Sequence, residues 1–352
     1  GLNTTITDST ISGNTSALSG GGVFASNTDF FSEVTVTGST ISNNHTTGSG
    51  AKGGGIHAAT TVLYVTSSDE DGNYTLGDGA FGGGIYADGQ YPNDEDYAGN
   101  INITNSTIAN NETRGERGYG GGIFVDGGEV EVRNSTITGN NALGALCNPA
   151  RFKIGAAIYS DNDITVTDSI ITGNTAPVAG GPEIQEGSGS GDVRGDGQVV
   201  FQGSNIIGAD TAIANAAKAA AADVFDGDVR DNGGDVVTIA LKANASNPAL
   251  DASNATGTDA RGEARQFDQV NVPDEGGPSD LGAVELRETV EANSLVVTTT
   301  ADVVDGTDGQ TSLREAVAYA DSKAGADTIT FAAGGQGLIR LTGGQIEITD
   351  AL

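Results

Sequence analysis

Carboxylates are the side chains this chain carries in quantity. Asp69-Glu70-Asp71, Asn93-Asp94-Glu95-Asp96, Asp226, Asp228 and Asp231 with Asp235, and Asp302, Asp305 and Asp308 each gather oxygen donors within a short stretch. Hard cations take such oxygens, so these clusters are candidate Ca²⁺ ligands. Asp305 and Asp308 flank a turn at Gly306, which puts Asp302, Asp305 and Asp308 first among the candidates and Asp226, Asp228 and Asp231 second. None follows EF-hand spacing. Gly187-Ser188-Gly189-Ser190-Gly191-Asp192 is a lone relative of a Ca²⁺-binding nonapeptide that works in several copies. A solvated acidic loop is the competing reading of each cluster.

Acids also cleave polysaccharides, given two at a fixed separation or an acidic site with an Arg or Lys base. Bases are few over the first two hundred or so residues, among them Lys52, Lys153, Arg114, Arg117, Arg133 and Arg151. His45 and His57 lack a Ser or Cys at informative spacing, and Cys147 has no second cysteine to bridge to. A carbohydrate-active enzyme is therefore the alternative, and a non-catalytic role the expectation. An aromatic series, Phe24, His57, Tyr86, Phe124 and Tyr159, can hold a sugar chain if it lies open, or can stack on itself.

These residues sit on a repeat. Ser9-Thr10-Ile11-Ser12-Gly13-Asn14 returns at Ser39-Thr40-Ile41-Ser42-Asn43-Asn44, Ser106-Thr107-Ile108-Ala109-Asn110-Asn111, Ser135-Thr136-Ile137-Thr138-Gly139-Asn140 and Ser169-Ile170-Ile171-Thr172-Gly173-Asn174. A glycine triplet followed by an aliphatic ends at Val23, Ile56, Ile85 and Ile123, and in weaker form at Ile158, advancing by 33, 29, 38 and 35 residues. That period is one coil of a solenoid. Val34-Thr35-Val36-Thr37, Ile101-Asn102-Ile103-Thr104, Val130-Glu131-Val132-Arg133 and Ile164-Thr165-Val166-Thr167 alternate β-branched with polar residues, as half-buried strands do. The fold class is all-β, a right-handed parallel β-helix with short capping helices. Leu63 to Ser68 aligns with Ile101 to Ser106 as a degenerate coil, and Val200 to Ile207 as another. Asn14, Asn44, Asn111, Asn140 and Asn174 fall at corners, where Asn tolerates the left-handed conformation and its amide can bond coil to coil. Alternation puts the aromatic series on the outer face.

The alternating Gly-Gly-Gly-Ile and Ile-x-x-Asn phrases resemble the GGA(I/L/V) and FxxN pair of polymorphic outer-membrane proteins and related bacterial surface β-helices, with Ile in place of Phe. This likeness covers about Asn3 to Gly208 and implies the cell exterior. Asp231-Asn232-Gly233-Gly234, Asn247-Pro248-Ala249-Leu250-Asp251, Thr258-Asp259-Ala260-Arg261-Gly262 and Asp280-Leu281-Gly282-Ala283-Val284-Glu285 resemble, in order, the ending of choice-of-anchor surface β-helices. That implies a C-terminal closure over 209–292, in which Arg261 and Arg265 pair with nearby carboxylates. Ala212 to Phe225 has helical spacing. Ser312-Leu313-Arg314-Glu315-Ala316, a capping box opening a helix, resembles the CSLREA segment that precedes such β-helices, with Thr311 where its first cysteine would stand. Asp327 to Phe331 and Gln345 to Thr349 read as strands.

Composition fits this reading. A formal charge of −31 and a pI near 4.1 argue against nucleic acid and anionic membranes, and no apolar run reaches the roughly 18 residues of a membrane span. The chain thus divides into repeats (1–208), closure (209–292) and a capping segment (293–352) that belongs before a coil stack yet follows one. The mismatch implies head-to-tail joining of copies through Gly1, Leu2, Gln345, Ile346, Ile348 and Leu352, as a filament or a giant repetitive protein. The partners expected are further copies, with a polysaccharide or surface ligand second, and Ca²⁺ is the one cofactor considered.

Overall fold

The computed structural model describes residues 3–26, 32–59, 61–89, 99–143, 155–175, 184–186, 198–208 and 216–351. Four parallel sheets run along one axis, and each of the first five turns of chain adds one strand to each of them in sequence order. The first sheet stacks Thr4–Thr7, Glu33–Thr37, Val62–Thr66, Ile101–Thr104, Val130–Arg133, Ile164–Thr167 and Val199–Gln202. The second starts at Thr10–Ser12 and ends at Ala217–Lys218, the third holds two-residue strands from Thr15–Ser16 to Asn141–Ala142, and the fourth runs from Val23–Ser26 to Ile184–Glu186. This is the expected parallel β-helix. Leu63 pairs with Ile101 and Val65 with Ile103, so the degenerate coil takes its place in register.

The interior follows from alternation. Val34, Leu63, Ile101, Val130 and Ile164 stack on one inward line of the first sheet, and Ile56, Ile85, Ile123 and Ile158 on one of the fourth. All are buried in a single core column. Each such side chain contributes about 1.5–3 kcal/mol of transfer free energy, enough for a thin core to hold a long stack.

Two polar ladders hold the corners. Each phrase-ending Asn accepts from the backbone N–H of its counterpart one coil earlier: Asn14 N to Asn44 Oδ1 is 3.0 Å, Asn44 N to Asn73 Oδ1 2.9 Å, and Asn73 N to Asn111 Oδ1 3.0 Å. The line continues through Asn140 to Asn174, each step 3.0 Å. Amide stacking is as expected, but the left-handed residue is the one before: Gly13, Asn43, Gly72, Asn110, Gly139 and Gly173 have positive φ. The ladder Asn is selected for its amide, its neighbour for its backbone. Ser9, Ser39, Ser68, Ser106, Ser135 and Ser169 form the second ladder, each backbone N–H donating to the next hydroxyl.

Glycine triplets close a further corner by contact between backbones. A Cβ on Gly54 would lie 2.2 Å from Gly83 O and 2.6 Å from Tyr74 O, neither able to yield. Gly54→Ala is therefore expected to destabilise the fold by about 1–3 kcal/mol in urea unfolding, with cost set by overpacking.

Beyond Gly208 the expected helix shrinks. Ala217–Lys218 is a strand beside Ile206–Ile207, and among the described residues of that stretch the helix spans Ala221–Val224. Completing the second sheet satisfies more backbone than one helical turn would, and tertiary pairing overrides the alanine propensity. The closure segment then lies along the outer face of the second sheet. Ile170 and Ile206 point outward there and pack with Val224, Phe225, Ile239, Leu241 and Leu281. Gly282 N donates to Asp168 O (3.1 Å) and Ala283 N to Thr136 Oγ1 (3.0 Å), fixing the segment across several coils.

The capping segment keeps its helix, Leu313–Asp321, with both halves of the Ser312–Glu315 box formed. Val296–Val297 pairs with Thr330–Phe331, whereas Gln345 to Thr349, expected as a strand, forms none. Its hydrogen bonds to the rest run to the closure: Asn293 Nδ2 to Ser246 Oγ at 2.8 Å, and Glu291 N to Gly306 O at 2.8 Å. None among the described residues reaches the first coil. No described helix is long and apolar enough to cross a membrane.

Candidate functional site

The acidic candidates are tied into their own turns. Asp302 receives Arg314 Nε (3.0 Å) and Nη2 (3.1 Å) and the Gly343 amide (2.8 Å). The backbone amides of Gly343 and Thr342, Gly343 first, hold its carboxyl below the usual range. It pins the helix to the tail. Asp305 accepts from Thr307 N (3.1 Å) and Oγ1 (2.8 Å), Asp308 from Gln310 N (2.7 Å), and Asp231 from Gly233 N (2.9 Å). Asp226 pairs with Arg230 at 2.8 Å, and Asp228 is exposed. Among the described residues no three His, Cys, Asp or Glu side chains converge as a metal cage. Asn93 to Asp96, Cys147, Arg151, Lys153 and Gly187 to Asp192 lie outside the described residues.

The aromatic series is on the outer face, but closed. Phe24 to His57, His57 to Tyr86, Tyr86 to Phe124 and Phe124 to Tyr159 are separated by 5.1, 5.0, 5.4 and 4.5 Å between ring centroids. A second row, Lys52, Phe81 and Tyr119, leans over it, with Lys52 Nζ 4.3 Å from the Tyr86 ring centre. Asp88 takes His57 Nε2 (3.3 Å) and Lys52 Nζ (3.6 Å), while Tyr86 and Tyr159 donate to Asp126 (3.2 Å) and Asp161 (2.8 Å). Burial, then those carboxylates, push both phenols up, so they stay donors. His57, Tyr86, Phe124 and Tyr159 are buried and Phe24 alone of the five is exposed, at 57%. Of the two readings of the series, the geometry is that of rings stacked on one another, under the row Lys52, Phe81 and Tyr119 that precedes the glycine triplets and that period-2 reading of the strands does not place.

The closure motifs build a buried charge network. Arg261 grips Asp259 through Nε (2.9 Å) and Nη2 (2.7 Å), and Arg265 Nη1 stands 3.9 Å from Glu285, so the two arginines pair as expected. Arg265 Nη2 also donates to Gly282 O (2.7 Å) and reaches Asn105 Oδ1 (3.2 Å) on the coils. Asp280 accepts from the amides of Asp251 (3.0 Å) and Leu286 (2.6 Å), and burial pushes it up to about 8. This joins closure to stack.

Two surfaces among the described residues include positions expected to join copies. Ile6, Ile11 and Val23 occupy column positions that are fully buried in later coils, yet each is half-exposed. Thr4–Thr7, Thr10–Ser12, Thr15–Ser16 and Val23–Ser26 end their sheets, with no described strand on the outer side. Residues 3–26 hold one ionisable side chain, Asp8. In the capping segment Phe331, Leu338, Leu341 and Ile348 are exposed, Gln345 is exposed and Ile346 half-buried. Gly1, Leu2 and Leu352 lie outside the described residues. Comparison with protein-family models, curated proteins and solved structures finds no match to this chain.

One group of acids departs from the expectation of a loop. Asp69–Asp71 is neither a loop nor a solvated cluster: it is a strand of the second sheet, and Asp69 and Glu70 are fully buried. Ser68, Gly72 and Asn73 frame it as the repeated phrase does, which was the signal available.

Proposed function

We propose that this chain is an acidic structural unit of an extracellular surface filament or giant repetitive surface protein, in which the capping segment of one copy supplies the coil before the first coil of the next. The observation that carries the reading is a matched pair of unpaired surfaces. Ile346-Glu347-Ile348-Thr349 has the pattern of first-sheet strands such as Val130-Glu131-Val132-Arg133, and Ile346 and Ile348 have the spacing of Val34 and Val36. Laid beside Thr4–Thr7, that tail would cover Ile6 and satisfy an open strand edge. Such a contact is heterologous and non-closing, hence filament-forming. The role is mechanical, carried by backbone ladders along the axis, with no catalytic step.

Sedimentation velocity with negative-stain imaging tests this. The chain, 35.2 kDa as a single copy, is expected to self-associate with rising concentration into threads of uniform width. Ile348→Asp and Ile11→Asp should each abolish the threads while leaving the circular dichroism spectrum intact. A single-copy mass across the full concentration range overturns the reading.

A further inference from the structure

In the third coil the repeated phrase reads Ser68-Asp69-Glu70-Asp71-Gly72-Asn73. The register sets Asp69 between Thr40 and Thr107, Glu70 between Ile41 and Ile108, and Asp71 between Ser42 and Ala109. Glu70 therefore stands where other coils carry the core isoleucine. Both Oδ atoms of Asp69, Oε1 of Glu70 and the neighbouring Thr107 Oγ1 are buried with no hydrogen-bond partner. Glu70 Oε2 has one long contact, to Asn73 Nδ2 at 3.5 Å. Gly55 leaves the room: a Cβ there would sit 2.7 Å from Glu70 Oε2.

An ionised carboxylate in such a place is uncompensated, and it neutralises instead. The strands on either side, Thr40–Ser42 and Thr107–Ala109, bear no ionisable group. Inside the column Leu63, Val65, Ile56 and Ile85 are apolar, and the third sheet contributes Thr46 and Thr75. From the closure side Arg265 approaches the corner residue Asn105, and the charges acting on it are Glu285, Asp259, Asp280 and Asp168. On the strand itself Asp71, held by Asn110 Nδ2 at 2.9 Å, adds repulsion to Asp69, as Asp69 does to Glu70. The carboxylates beside the pair, Asp71 for Asp69 and Asp69 for Glu70, thus favour the protonated acids.

We propose that Asp69 and Glu70 form a proton-binding site within the stack, so that this coil is closed while both are protonated and opens as they lose their protons. Burial, then a neighbouring carboxylate, raises both groups well above ordinary values. The folded chain consequently keeps protons at pH values where the unfolded chain has released them. Stability from this site is complete below the ordinary carboxyl range and is lost as pH climbs through the raised values. This is opposite in sign to ordinary acid denaturation.

Amide exchange of the intact chain, corrected for intrinsic rates, tests the site between pH 5 and pH 8. For residues 69–71 and 107–109 the opening constant should rise about tenfold per pH unit for each proton released. In the double variant Asp69→Asn with Glu70→Gln, which keeps shape without titration, and in Asp69→Thr with Glu70→Ile, which restores the repeated phrase, the same amides should show a flat profile. A flat profile in the unmodified chain, or an unchanged slope in either variant, overturns the proposal. So does a Glu70 carboxyl carbon resonance that titrates at the ordinary carboxylate position.

Discussion

Arg265→Leu is expected to destabilise the protein by about 3–5 kcal/mol and to release the closure segment from the coils, the range for a buried ion pair stripped of one partner. The guanidinium is fully buried, faces Glu285, and touches Gly282 O, Asp280 O and Asn105 Oδ1. Its removal strands Glu285 and Asp280, two acids that burial already raises, without a cation. Arg265→Lys should restore less than half of the loss, since one ammonium cannot span carbonyls and an amide lying in different directions. Urea unfolding should change from one transition to two, with limited proteolysis cutting first between residues 216 and 290. The deficit should shrink at acidic pH. Arg265 lowers the Glu285 value, so its loss raises that value further, and once the acid is protonated no unpaired charge remains. A single unshifted transition at neutral pH would show that the network is dispensable.

The repeat region was legible because its physics is local and periodic. Alternation in Ile101-Asn102-Ile103-Thr104 names the buried positions, and a corner Asn that recurs once per coil names the ladder. The closure was legible only in outline. Its motifs indicate which arginines find acids, but nothing in their spacing says that the segment runs along the flank. One sign was present. The outward position of the phrase is Thr10, Thr40, Asp69, Thr107 and Thr136, then becomes Ile170 and Ile206, and those two isoleucines pack among the apolar residues of the closure.

Side chains facing outward were harder to place. The outer face of a strand is open or covered according to what the loops bring, and Phe81 and Tyr119 come from loops whose position alternation does not encode. Asp69-Glu70-Asp71 misled for the converse reason. Three consecutive acids read as solvated because a lone charge is costly to bury, yet backbone register placed them in the stack regardless. Position in the repeat outweighed residue type. The same priority explains Gln345 to Thr349, which has the alternation of a strand and forms none.

Asn111→Ala is expected to cost about 3–5 kcal/mol, from buried groups left unmet at about 1–3 kcal/mol each. Its Oδ1 accepts from Asn73 N and Nδ2, both at 3.0 Å, and its Nδ2 donates to Glu70 O (2.8 Å) and Asn140 Oδ1 (3.0 Å). All four capacities of the amide are used, in a position with no access to water. Alanine orphans the Asn73 amide and the Glu70 carbonyl together, and Asn111→Asp should do no better, because it loses both donors and buries a charge. Asn14→Ala, at the exposed end of the same ladder, should cost less than about 1 kcal/mol, since water replaces its partners. Melting temperatures of the alanine series at Asn14, Asn44, Asn73, Asn111 and Asn140 should therefore fall from the open end inward. A uniform loss along the series would mean that the ladder acts through each corner's own turn and not through bonds between coils. Solenoid stability is a sum of coil and interface terms, and the inward gradient is the part that belongs to the interfaces.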